Sequence, residues 1–395
     1  MHILTNRRSA PYARSLIAAA VSAALGSTVA QGQETQSAGT LQEIIVTATR
    51  RAESIQDIPI SITALTGEAL VQRGVTDILS LDHAVHGLIL ENSGSDPTLI
   101  LRGAGTAGTT DVAVPFYVDG VYQPNSGQGL VSFLDLERVE ILKGPQGTLF
   151  GRNTLGGLIN IVSKKPSLDS FDAGAALTFG DYSERKIEGF VNLPFAGSLA
   201  LRLTGAAEKR DPFVKNTFNK EGGLKDANYS YGRGQLLWKP IDTLTLDLTG
   251  TYWHDTSNGN SDYGYKVLGI PVNAITHQVD GINGFLDPRQ GLRPGWGGGK
   301  TATGNISNGD TSAAIYADPY KVAWDYKPHR NIKETSVALD VKWQIPGHEL
   351  HGNFSEFDYS ELRLTDGDLS TASSYVSGQI TKTKSHQIDI NLNST

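Results

Sequence analysis

Gly103, Gly105 and Gly108 come after the apolar run "LIL" at 99–101 and spell G-x-G-x-x-G. Between a strand and a helix, such a turn lets backbone N–H groups cradle a pyrophosphate. The helix is missing here: "TTDVAVPFYVDGVY" at 109–122 is β-branched, carries Pro115 and reads as another strand. The glycines therefore read as a strand-to-strand loop with freedom for unusual φ, and a nucleotide-dependent enzyme rests on nothing else. His83 and His86 stand three apart at a helix end, a spacing that suits packing as well as a metal. His348 and His351 flank a strand start and would point to opposite faces. "TDGDLS" at 365–370 lacks the spacing of a calcium loop. G-x-S-x-G, H-E-x-x-H and P-loop patterns are absent, and without cysteine there is no thiolate nucleophile or metal ligand. The reading is no enzyme, no cofactor and no metal site. A formal charge of -7 gives no electrostatic support to nucleic-acid binding.

The elements that carry these residues suggest an exported protein. Arg7, Arg8 and Arg14 precede an apolar stretch at 15–26 and small residues up to Ala30, which together read as a signal peptide over 1–30. Residues 31–55 read as a polar, flexible segment holding one β-branched run, Ile44, Ile45, Val46 and Thr47. Such a run could add to the edge of a partner's sheet or form the first strand of the adjoining domain. Residues 56–166 mix short helices and strands: a strand in "IPISITAL", a helix from Thr66 to Gly74 and a helical turn or two over 75–88. Strands are then expected in "PTLILRG", "AVPFYVDGVY" and "LERVEILKG", before a tight turn and the strand "LINIVSKKP".

Beyond Pro166 the period becomes two. Residues 173–180, 185–193, 198–208, 231–238, 243–253, 335–345, 349–359 and 386–393 alternate apolar with polar. Leu244, Leu246, Leu248, Gly250 and Tyr252 share one face, while Thr243, Thr245, Asp247, Thr249 and Thr251 share the other. Connections alternate between short and long, as short periplasmic turns and long external loops do in outer-membrane barrels. The fold class is an α+β domain followed by an antiparallel transmembrane β-barrel.

These residues resemble a TonB-dependent outer-membrane receptor through most of the chain. "EIIVTATR" looks like the TonB box (about 43–49), and "PFYVDGVY" and "LERVEILKGPQGTLFGRNTLGGLINIVSKKP" look like the plug domain, taken as 56–166. "HAVHGL" at 83–88 departs from the family's usual turn. The resemblance implies a plug inside a barrel of about 22 strands, of which residues 167–395 would supply eight. It implies a Gram-negative outer membrane, contact with its lipid, and energy delivered by TonB and its inner-membrane complex. The cargo would be a scarce solute, most often a ferric siderophore. Ile44, Ile45, Val46, Thr47 and Ala48 would contact TonB. Arg102 and Arg138 would pair with barrel glutamates and lock the plug, with Glu137, Glu140 and Lys143 extending that network. Gly103, Ala104, Gly105, Thr106, Gly108 and Tyr122 would face substrate on plug loops. Eight strands cannot enclose such a plug. The expectation is thus a truncated receptor, with a surface-binding remnant that cannot import as the alternative.

Overall fold

The computed structural model describes residues 45–47, 53–75, 78, 80–92, 97–105, 113–124, 133–151, 153–195, 197–216, 222–258, 285–287, 291–293, 321–322, 327–366 and 376–394. The signal-like segment 1–30 lies outside them, as do Ile44, Ala48, Thr106 and Gly108.

The first part runs β1 (Ile62–Thr66), α1 (Gly67–Gln72), β2 (Leu88–Asn92), β3 (Pro97–Leu101), β4 (Phe116–Val118), β5 (Val121–Gln123), β6 (Leu136–Lys143), α2 (Gly147–Phe150) and β7 (Gly157–Ser163). Its main sheet has the order β1-β6-β7-β4-β5, with β7 parallel to β4 and the other pairs antiparallel. Every residue of β7 is buried, as its near-continuous apolar run requires of a central strand. The core beneath it gathers Leu70, Ile78, Leu81, Leu101, Phe116, Val139 and Ile159. Thr66 caps α1, its Oγ1 accepting from the Ala69 N–H at 3.2 Å, and Gly74 ends the turn at φ +69°.

The structure revises or sharpens three expectations in this part. "AVPFYVDGVY" is two strands, because Asp119 (φ 50°) and Gly120 (φ 80°) make a tight hairpin turn with both central residues left-handed. Among the described residues, the helical turn or two expected over 75–88 is one 3-10 turn, Leu81–His83. The turn expected after Lys143 contains the single helical turn α2.

The second part is one antiparallel sheet in sequence order: β8 (Asp172–Gly180), β9 (Glu184–Phe195), β10 (Leu199–Arg210), β11 (Ala227–Ile241), β12 (Leu244–Asp255), β13 (His329–Ile345), β14 (His348–Asp366) and β15 (Val376–Ser394). These are the eight strands expected from the alternation, most of them longer than the pattern alone indicates. Burial is inverted relative to a soluble sheet. Leu203, Leu248, Val337, Trp343 and Ile388 stand exposed, while Arg202, Arg233, Gln235 and Asp247 are buried facing the plug. An apolar outside with a polar inside belongs to a barrel wall in lipid. Among the described residues, β8 and β15 are the two edges of this sheet and do not pair with each other. The tight turns after β9, β11 and β13 mark its periplasmic rim.

Candidate functional site

The β-branched segment near the N-terminus is folded onto the plug. Ile45 and Val46 pair antiparallel with Ser54 and Glu53. Ile45 remains exposed, but Val46 is wholly buried with Ile58, Tyr117, Leu142, Phe150 and Leu158. Thr47 next to it reaches a charged group: its N–H donates to Glu140 Oε1 at 2.9 Å, and its hydroxyl donates to the same oxygen at 3.1 Å. These contacts set the run against the adjoining domain, although the pairing is only two residues long.

Glu140 lies in β6, completely buried, and hydrogen bonds from three residues satisfy it. Besides Thr47, Arg138 Nε donates at 2.7 Å and Asn160 Nδ2 donates at 3.2 Å from β7. Arg138, two residues back on the same face of the strand, also pairs with Glu137 and reaches the Thr47 hydroxyl at 3.4 Å. A buried ion pair supplied with such extra hydrogen bonds avoids the desolvation cost that an isolated one carries.

The contacts between plug and wall fall on residues that the sequence does not single out. Asp135, at φ 55° just before β6, accepts from Arg202 Nε and Nη2 of β10 at 2.7 and 2.5 Å. Thr204 donates to the same carboxylate at 2.7 Å, and Arg233 of β11 donates to the Asp135 backbone carbonyl at 3.0 Å. Burial pushes the Asp135 carboxyl up, but the Arg202 and Thr204 hydrogen bonds and the two guanidinium charges outweigh it and hold it below the usual carboxylate range. A second bridge is Lys165, whose Nζ lies 2.9 Å from Asp247 of the wall and 3.6 Å from Asp119 of the plug. Burial disfavours the Lys165 ammonium, yet the Asp119 and Asp247 carboxylates prevail and hold it above the ordinary lysine range. Gln235 adds a bond from the wall, donating to Ser163 Oγ at 3.1 Å.

The expected lock residues have these partners among the described residues. Among the described residues, the hydrogen-bond partners of Arg138 and Glu140 belong to the plug or to Thr47, and no barrel glutamate meets them. Arg102 sits at φ 52° and donates to Ser61 Oγ at 2.8 Å, again inside the plug. Lys143 donates to the His86 carbonyl at 3.2 Å, and burial together with the Arg102 charge holds its ammonium below the ordinary lysine value. β6 is an inner strand of the plug sheet, flanked by β1 and β7.

Ala104 and Gly105 fold back onto Leu101 and Ile100, so the glycine motif opens with a strand turn at Gly103 (φ 80°) and not with a helix. Tyr122 bridges to the wall: its N–H donates to Gln387 Oε1 of β15 at 2.9 Å, and its hydroxyl accepts from Asn153 at 3.3 Å. No group of three or more His, Asp or Glu residues suited to a metal occurs among the described residues.

Residues 54–158 match the family model of the TonB-dependent receptor plug domain. Over that span the chain is similar to the plugs of TonB-dependent receptors. The pesticin receptor of Yersinia pestis is 38% identical over 127 residues, which is 31% of this chain and 19% of that protein. The vitamin B12 transporter BtuB of Vibrio vulnificus is 26% identical over 246 residues, 58% of this chain and 39% of that protein. The fold matches the ferric yersiniabactin uptake receptor FyuA from Yersinia pestis with a TM-score of 0.63 at 20% identity, covering 85% of this chain and 46% of that one. It also matches the ferripyoverdine receptor of Pseudomonas aeruginosa, with a TM-score of 0.58 at 19% identity over 88% of this chain and 41% of that one. The chain thus spans less than half the length of these relatives. Its architecture is that of an outer-membrane β-barrel protein.

Proposed function

We propose that the chain acts in TonB-dependent uptake of a scarce solute across the outer membrane, with a ferric siderophore as the cargo class. The observation that carries this reading is the seating of Val46 and Thr47 on the plug, with Thr47 bonded to the buried Glu140 of β6. A β-branched segment held by two pairs of residues and one polar latch is a strand that a partner can lift and re-pair, which is what β-augmentation by TonB requires. Ile44, Ile45, Val46, Thr47 and Ala48 are the TonB contact in this reading. Arg138, Glu137 and Glu140 form its receptacle, and Arg102 and Lys143 brace the adjoining turn. Gly103 to Gly105, with Thr106 and Gly108, and Tyr122 belong to the substrate side of the plug. The cargo class is supported by the names of the relatives, among them receptors for ferric yersiniabactin and ferripyoverdine.

The test is iron uptake by an outer membrane whose sole receptor is a closed barrel that contains this chain, supplied with a panel of radio-iron siderophores. Uptake that depends on TonB and is abolished by Val46→Pro, which removes a strand N–H, is the expected result. Uptake indifferent to TonB, or unchanged in Val46→Pro, would overturn the proposal.

A further inference from the structure

Four strands of the wall place one residue each in a single row on the plug side: Tyr231 of β11, Trp253 of β12, Glu334 of β13 and Tyr359 of β14 stand directly opposite one another in the register. Directly opposed side chains have Cβ atoms about 5 Å apart, so Glu334 stands between the Trp253 and Tyr359 rings. The row lies about 35 Å of strand from the tight turn that follows β13, towards the outer end of the wall. None of the four is on the edge strands β8 and β15, so the row is whole as it stands.

Glu334 differs from the other buried acids. Glu140, Asp247 and Glu361 each hold an arginine or a lysine, and Asp255 accepts the Ser257 N–H at 2.8 Å. Glu334 is 9% exposed, and its Oε2 has no hydrogen-bond partner. The neighbouring hydroxyls are committed elsewhere: Tyr359 donates to Glu361 Oε2 at 3.0 Å, and Ser336 pairs with Thr251. A buried carboxylate is costly without a donor or a counter-charge. The described residues give this one no donor to Oε2 and no charge that offsets its burial.

A cavity of about 90 Å³ lies in front of the row, lined by Tyr231, Trp253 and Glu334 from the wall and by Phe116, Val121 and Leu136 from the plug. Among the described residues, none of the plug-loop positions read as cargo-facing lines it. We propose that it binds the ammonium head of a small primary amine, with Glu334 as counter-ion and the Trp253 and Tyr359 rings as its walls. Aromatic faces attract cations, and the carboxylate supplies the opposite charge. A hard metal ion would want about six oxygen ligands, and no group of three or more suitable residues stands among the described ones. The unpartnered Oε2 asks for an N–H donor, which a primary ammonium has and a quaternary one lacks. The apolar plug side receives the short alkyl tail. The site goes beyond the transport reading, since it binds its amine whatever the cargo or partner.

The experiment uses a closed barrel that contains this chain, labelled with fluorotryptophan and held in phospholipid nanodiscs. The Trp253 fluorine signal is assigned by its loss in Trp253→Phe. Titration with propylammonium is expected to shift that signal with a Kd of about 1 mM, as suits a ligand of so few atoms. Tetramethylammonium lacks the N–H donors and propanol lacks the charge, so each is expected to bind at least about tenfold more weakly. Glu334→Gln is expected to weaken propylammonium at least about tenfold and Tyr359→Leu about threefold. Tyr359→Phe keeps the ring and is expected to stay within about twofold of the parent. Propanol binding as tightly as propylammonium, or an unchanged Kd in Glu334→Gln, overturns the site. Tetramethylammonium binding as tightly overturns the role given to Oε2. If Glu334→Gln loses its strand circular dichroism, Glu334→Asp withdraws the carboxylate by one methylene and is read the same way.

Discussion

The Asp135 carboxylate and the Arg202 guanidinium form a two-pronged ion pair, at 2.5 and 2.7 Å, that joins the start of a plug strand to the barrel wall. Their side chains are 1% and 4% exposed, so neither can turn to water if the other is removed. Asp135→Asn should therefore cost about 3–5 kcal/mol, the range for stripping one partner from a buried pair. Urea midpoints at constant slope measure it. Adding Arg202→Gln should cost less than the two single losses summed, since both destroy one interaction.

The same carboxylate gives the plug an acid limit. Its pKa is lower folded than unfolded, so its contribution is fully present above the unfolded value of about 3.9 and disappears as pH falls through the folded one. Plug stability in the parent chain should therefore hold at pH 5 and weaken below about pH 4. Asp135→Asn should be less stable above about pH 4 and should lose part of that acid slope, so that the two chains converge at lower pH, as followed by hydrogen exchange within β7.

The barrel wall is legible in the sequence because a period of two is a local signal. Alternation at 243–253 alone assigns Leu248 to lipid and Asp247 to the plug. The plug strands are legible for the same reason, and so is the Asp119–Gly120 hairpin, since Asp-Gly between two apolar runs is the signal of a two-residue turn that a single-strand reading of 113–122 passes over. The clamp is hidden because Asp135 lies 67 and 98 residues from Arg202 and Arg233. An aspartate before a strand reads as a turn residue, and an arginine on a polar face reads as solvated. Arg138 and Glu140 stand out as a charged cluster, yet their partner Thr47 lies across a tertiary contact that no local pattern encodes.

Thr47→Val keeps the β-branched shape but deletes the hydroxyl that donates to Glu140. One hydrogen bond to a charged group is worth about 1.5–3 kcal/mol, so the segment should open at least about tenfold more often. Hydrogen exchange at Ile45 to Thr47 should speed up accordingly, while exchange within β7 stays unchanged. Equal exchange in parent and variant would show that the latch carries no weight.

Gly157 and Gly103 make a matched pair for backbone strain. Gly157 sits at φ +132°, and a Cβ there would run into the Leu142 carbonyl of the paired strand. Gly103 sits at φ +80° with open space where a methyl group would stand. Gly103→Ala should cost about 1–2 kcal/mol, the ordinary left-handed penalty. Gly157→Ala should cost more than that, because β6 and β7 must also move apart, and denaturation midpoints of the two variants give the comparison.

Leu248 tests which side of the wall meets lipid. It is 44% exposed and lies opposite Leu236 and Leu339 in the register, within a band of outward apolar side chains. A lysine on the lipid face near the bilayer midplane costs about 2–4 kcal/mol. If that face met water, the same change would be nearly neutral, within about 0.5 kcal/mol. Leu248→Lys should therefore lower the fraction of chain that inserts into liposomes and acquires protease resistance, with little change in solubility in urea. Insertion equal to that of the parent would place this face in water and remove the membrane reading of the sheet.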